Sequence, residues 1–290
     1  MYISTVIFVV LYALDVSAGY CIAGYIGALF VAVALPIGIF IQMKLALFQA
    51  DAIKLDDLSP SDRAKLSLAF ENVLQSAEAL GYTFSKNPRI YLSEDQAMNG
   101  FNAGNAIVIN RGLMNTGCLE GICAHEIKHW HYMDSYTSCL ICNTVTVLSL
   151  LAMFVMSIYV FAIALFIGIL VAVIGNGTAG FLVGTFVGRF LDKIKDLVLR
   201  ANLYLMNVLQ SLLSRYTEYK ADEWATRTRI GYGEQLKHFL RLTYESRRME
   251  SLSARLLSSH PSDSKRIGYI QHIQNQINEN EELVRLPFNV

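Results

Sequence analysis

Charged side chains are scarce in this chain, and the scarcity is uneven. They make up 17% of its 290 residues, against about a quarter in ordinary soluble domains. Two stretches hold no Asp, Glu, Lys or Arg at all: the 28 residues between Asp15 and Lys44, and the 54 between Asp134 and Arg189. Outside them the deficit vanishes, because residues 45–134 and 189–290 carry 46 of the 48 charges. A hydrophobic content of 53% excludes a disordered chain. A formal net charge of zero excludes a strongly basic nucleic-acid binder. Five cysteines give no sign of the disulfide framework of a small secreted protein. The blockwise loss of charge excludes one soluble domain with an oversized core. No internal repeat or low-complexity tract is present. What remains is a membrane protein carrying a soluble body, with the lipid bilayer as a partner and no nucleic acid.

A membrane-spanning helix needs about 20 apolar residues. Residues 1–43 supply either two short spans around Asp15-Val16-Ser17-Ala18-Gly19 or one span over 20–41, and a hairpin over 1–48 is the reading carried forward. A signal peptide is disfavoured because no basic segment precedes the apolar run. The second gap suits two spans with a tight turn near 162–168. The alternative is one long span at 144–174 with 197–213 as its return. Two spans inside the gap put Arg189, Lys193, Lys195 and Arg200 on the same side as Lys44, Lys54, Arg63 and Lys65, as cytoplasmic flanks require. Residues 191–214 then form an amphipathic helix, either in the membrane interface or packed on the body.

In the soluble parts, Ser59-Pro60 offers a helix cap and first turn, followed by Ala64, Leu68, Phe70, Val73, Leu74, Ala77 and Leu80 before Gly81. Residues 88–92 and 106–110 are β-prone, separated by a turn-rich segment over 98–105. Helices are expected over 118–134 and 217–228, and over 233–280 with a break at 258–261. The expected division is a membrane hairpin (1–48), a first part of the body (49–135), a central membrane hairpin (136–190) and a second part of the body (191–290).

The chemistry resides in His125-Glu126-Ile127-Lys128-His129. On a helix, positions i and i+4 lie one above the other, so two imidazoles can converge on one Zn²⁺ while the adjacent glutamate reaches a water. Two histidines do not complete a catalytic site, which takes three protein ligands and leaves a position open. Glu218 and Asp222 repeat the i, i+4 spacing on a second segment. One of them can bind metal while the other accepts a hydrogen bond from a ligating imidazole. Alone, such a pair is usually a solvated helix face. Cys139-Leu140-Ile141-Cys142 has redox spacing but opens an apolar run, where cysteine acts as a small hydrophobe. Cys118 and Cys123 lie beside the histidine helix, and a structural zinc on these cysteines is the weaker alternative.

The two histidines, the Glu218/Asp222 pair about 90 residues on and the charge-free stretches between resemble the integral-membrane zinc metallopeptidases of the HtpX type, relatives of the CAAX prenyl proteases. Asn99-Gly100-Phe101 leading to 106–109 resembles that family's Asn-x-Phe loop and edge strand, and His260-Pro261 with Arg266 its C-terminal His-Pro element. The resemblance covers roughly residues 1–270. It implies a mainly α membrane protein with a small β-sheet, built as four helical spans and a cytoplasmic zincin-like metallopeptidase body. One zinc per chain would be held by His125, His129 and Glu218, with Glu126 catalytic and Asp222 bonded to a ligating imidazole. His260 would stabilise the oxyanion, with Arg266 placing it or sharing that role. Asn99 and the strand containing Ile107, Val108 and Ile109 would bind the backbone of a peptide or protein substrate. The implied function is endopeptidase hydrolysis of misfolded or damaged membrane proteins, part of a stress response, at the inner membrane if the chain is bacterial. A processing protease dedicated to one partner and an inactive scaffold are the alternatives.

Overall fold

The computed structural model describes residues 3–175, 177–244 and 261–285. It divides into two units: residues 1–140 with 211–290, and residues 141–210.

The first unit begins with a helical run, α1 (Ile3–Gln49). Gly24 takes a left-handed φ of 59°, and the Tyr12 hydroxyl donates to the Ala32 carbonyl at 2.8 Å. In a straight helix those two residues would be about 30 Å apart, so the run doubles back at Gly24. After β1 (Ile53–Lys54), α2 (Pro60–Ala79) starts at Ser59, whose side chain accepts from the Asp62 amide at 3.2 Å. Its buried stripe is Leu66, Ala69, Phe70, Val73 and Ala77, whereas Leu68 and Leu80 of the expected stripe face outward.

A four-stranded sheet follows in the order β1-β2-β4-β3, with β2 (Arg89–Ser93), β3 (Gly100–Ala103) and β4 (Ala106–Asn110). β4 runs parallel to β2 and antiparallel to β3. Both of its faces are covered. Ile107 and Ile109 join the main core with Phe70, Leu92, Ile122 and Ile127, and Val108 packs with Tyr91 and Leu47 on the other side. Each fully buried Ile contributes roughly 1.5–3 kcal/mol. β3 lies in the segment expected to be turn. Its polar, glycine-containing sequence carries no strand signal, and it forms by pairing with β4.

Helix α3 (Leu119–His131) crosses this core. It ends at Tyr132, and Met133 adopts a left-handed φ of 57° before α4 (Asp134–Ile174) begins. α5 (Gly177–Thr228), α6 (Ile230–Tyr244) and α7 (Asp263–Arg285) complete the described residues.

The second unit is an antiparallel hairpin made from the later part of α4 and the earlier part of α5. The turn expected at 162–168 is absent. α4 runs unbroken through it to Ile174, and the returning helix begins at Gly177, the sequence between them being helix-breaking. Small residues let the arms touch: a Cβ on Gly180 would lie 2.5 Å from the Ala172 Cβ. Lys195 Nζ donates to Ser157 Oγ at 3.3 Å and Gln210 Nε2 to Cys142 Sγ at 2.9 Å, which sets the register. The charges between Arg189 and Arg200 therefore run beside the apolar arm. For this reason the returning arm does not qualify as a span.

Among the described residues, two helices are long and apolar enough to cross a membrane, Gly24–Gln49 and Ala152–Ile174, with Phe8–Cys21 a shorter apolar helix. The expected four spans are corrected to these two, which point to membrane association.

Candidate metal centre

Helix α3 is buried on every side from Gly121 to His129, and its i, i+4 geometry stacks the two imidazoles as expected. Their Nε2 atoms face each other at 3.1 Å. α5 brings Glu218 to them, with Oε2 3.4 Å from His125 Nε2 and Oε1 3.6 Å from His129 Nε2. Three ligands tetrahedrally arranged about 2.0–2.1 Å from a zinc ion would be separated by about 3.3 Å. The spacing of this trio is thus already that of a metal-binding set, and its atoms all lie within 4.8 Å of one another.

Each imidazole is oriented from behind. His125 Nδ1 donates to Asp222 Oδ1 at 3.0 Å, and His129 Nδ1 donates to Asp134 Oδ2 at 2.8 Å. Both bonds fix the tautomer that leaves Nε2 free to ligate. The bond to Asp222 is the one the family resemblance implies, whereas sequence reasoning missed Asp134. It follows His129 by five residues and is the last charge before the apolar stretch. A regular helix would carry it past the imidazole, and the left-handed Met133 turns it back. It is also paired with Lys128, a buried cation whose Nζ donates to Asp134 Oδ2 at 2.6 Å and to the Thr217 carbonyl at 3.3 Å.

Arg266 enters from α7 and is committed to carboxylates. Its Nε donates to Asp222 Oδ2 at 2.7 Å and its Nη2 to Asp222 Oδ1 at 2.6 Å, while Nη1 lies 3.0 Å from Glu218 Oε2. Three of its N–H donors are thereby engaged by Glu218 and Asp222, which makes Arg266 a positioning residue for these two carboxylates. His260 lies outside the described residues.

Electrostatics follow from this packing. Burial would raise Glu218 and Asp222, but Arg266 and His125 outweigh it and lower both, Glu218 well below the usual carboxylate range. Burial likewise opposes the low value of Asp134, yet the hydrogen bond from His129 and the charge of Lys128 bring it to about 2. Burial disfavours a charged His125, but Glu218 and Asp222 prevail and raise it to about 9. His129 is also raised, against its burial, by Asp134 and Glu218. Ionised carboxylates that draw protons onto both imidazoles provide the negative field that a divalent cation would satisfy. The donor set, its spacing and its charge all fit zinc.

Glu126 is buried on the same helix, between the two histidines. The start of β3 lies against it: a Cβ on Gly100 would sit 3.4 Å from Glu126 Cγ and 3.1 Å from Ile122 Cγ2. A bulky residue at position 100 would wedge the strand off the helix. Asn99 is exposed just before β3, and its carbonyl accepts from the Asn110 amide at 2.9 Å. The strand with Ile107, Val108 and Ile109 does not have the edge foreseen for substrate. Those residues are fully buried and β4 is hydrogen-bonded on both sides. Among the described residues the edge beside α3 belongs to β3.

The cysteines take no part in the centre. Cys118 and Cys123 are buried thiols, raised by that burial, and Cys139 and Cys142, like them, form no disulfide among the described residues.

No curated protein and no solved structure is significantly similar to the chain. A family model described as peptidase family M48 matches residues 63–274, which takes in both histidines, Glu218, Asp222 and Arg266. With more than half its length matched, and in agreement with the resemblance its motifs carry, the chain belongs to peptidase family M48.

Proposed function

We propose that this metallopeptidase is a membrane-bound zinc endopeptidase that cleaves unfolded segments of other proteins. The observation that carries the reading is the convergence of His125, His129 and Glu218 with both imidazoles held from behind by carboxylates. These three side chains would hold zinc, which when bound polarises the scissile carbonyl and lowers the pKa of water to about 7.

The chain's own residues would do the rest. Glu126 accepts the proton of the attacking water and delivers it to the leaving amine, so no covalent enzyme intermediate is needed. Asp222 and Asp134 keep the imidazoles neutral at Nε2 and correctly turned, and Arg266 holds Glu218 and Asp222 in place. A substrate backbone adds to the outer edge of β3, whose first residue touches Glu126. Main-chain pairing ignores side-chain identity, which supports a broad, quality-control specificity over a dedicated processing role. The apolar helices Gly24–Gln49 and Ala152–Ile174 support anchorage in the bilayer. Lys44, Lys54, Arg63 and Lys65 beside the first of them support a cytoplasmic body.

The test is cleavage of denatured and native casein by the detergent-purified chain, with a zinc chelator and with zinc restored. Cleavage confined to the denatured form, abolished by chelator and recovered with zinc, is expected. Chelator-resistant cleavage would remove the metal from the mechanism, and cleavage of one membrane protein at one site would favour a dedicated processing protease.

A further inference from the structure

A cavity of about 210 Å³ lies between the end of α1 and the sheet, away from the metal-binding residues. Its lining is divided by chemistry. Lys44, Arg89, Asn105 and Tyr136 offer two fixed positive charges and further hydrogen-bond donors, and no acidic side chain lines it. Phe40 and Met43 form the apolar side. Phe40 is 61% exposed on the apolar helix Gly24–Gln49, so the apolar side continues onto the helix surface.

The position in the chain says what such a cavity would meet. Lys44 is the first charge after 28 uncharged residues, one turn beyond Phe40, and so marks where the helix leaves hydrocarbon for the headgroup layer. Arg89, at the start of β2, brings a second cation from the body to the same place. The volume is below the roughly 300–1,000 Å³ of sites that enclose a whole small molecule. It suits one polar end of a larger molecule whose remainder stays outside.

We infer that this cavity binds the phosphate-bearing headgroup of an anionic phospholipid, with Lys44 and Arg89 on the phosphate and the acyl chains lying along Phe40 and the outer face of α1. The inference rests on the membrane reading of α1 and is independent of the peptidase chemistry. Basic pockets beside membrane helices favour anionic headgroups through charge, with the contribution of each cation falling off within a Debye length. Bound lipid would brace α1 against β2 and β3, the latter being the strand that borders Glu126.

The test is native mass spectrometry of the full chain, released from detergent with phosphatidylglycerol or phosphatidylcholine added. Wild type should retain phosphatidylglycerol on the order of ten-fold better than phosphatidylcholine. The double variant K44Q/R89Q, which alters exposed side chains only, should lose that preference while keeping its zinc content. Equal retention of the two lipids by wild type would overturn the inference, as would an undiminished preference in the variant. Inorganic phosphate at millimolar concentration should not displace the lipid, and displacement would reassign the cavity to a free anion. Carbonate extraction of membranes separates the two readings. A wild-type chain that stays in the membrane but shows no lipid preference sinks this inference alone, whereas one released as soluble protein sinks the membrane reading and this inference with it.

Discussion

The metal centre and the 141–210 hairpin solve opposite problems with the same chain. In the centre, charged groups are withdrawn from water, and Glu218, Asp222, Asp134, Lys128 and Arg266 are buried in contact with an opposite charge or a histidine. In the hairpin, Phe161, Phe166, Phe181 and Phe186 are 67–73% exposed. A soluble surface rarely tolerates so large an apolar area. The centre is therefore vulnerable to loss of a single charge, while the hairpin's outer face depends on its surroundings and on no particular side chain. Substitutions of similar size should have very different effects in the two regions.

The largest effect is expected at Glu126. Glu126→Gln keeps the zinc ligands but removes the proton acceptor, and kcat/KM for a fluorogenic peptide should fall about 10²–10⁴-fold with zinc content unchanged. An unaltered rate would end the proposed mechanism. Next in size is Arg266→Met, which leaves Glu218 and Asp222 buried without their counter-charge. Destabilisation of about 3–5 kcal/mol is expected in urea unfolding, against about 1 kcal/mol for Lys195→Met, which gives up one hydrogen bond to Ser157 and an ion pair with the exposed Asp192. Similar losses for both would break the comparison.

Asp134→Asn should weaken zinc binding about 10–100-fold in competition with a chromogenic chelator, since it loosens the orientation of His129. A smaller effect comes from pH. In the metal-free chain His125 is raised to about 9, so zinc must displace a proton below that value. Affinity should rise with pH, by about ten-fold per unit for each imidazole that must lose a proton, and the His125 contribution should level off above about 9. The same proton stabilises the metal-free fold, fully below the ordinary histidine value of 6.5, and that stabilisation is lost as pH rises through about 9. A zinc affinity that falls with pH over this range would contradict the charge assignment. The smallest effect is expected at Phe181→Ala on the hairpin's outer face, within about 0.5 kcal/mol in thermal unfolding of the detergent-purified chain.

Much of the centre was legible because its logic is local. The spacing of His125 and His129, and that of Glu218 and Asp222, are helical repeats that any helix turns into a shared face. Ser59-Pro60 likewise announces α2 without help from the rest of the chain. Other features arise only from contacts between distant segments. β3 is a strand because β4 pairs with it, and β4 loses its expected edge for the same reason. Asp134 reaches His129 through one left-handed residue, which composition does not reveal. Arg266 reaches Asp222 and Glu218 because α7 packs where it does.

The charge-free stretches and the metal motif were thus determined by sequence alone, since solubility and helical periodicity act on neighbouring residues. Tertiary structure decided how the second stretch is used, ending one arm at Ile174, starting its return at Gly177 and setting the charges of α5 beside an apolar arm. It also decided which carboxylate serves which histidine. Those outcomes depend on which surfaces meet, and burial energies between remote segments outweigh local preference wherever the two disagree.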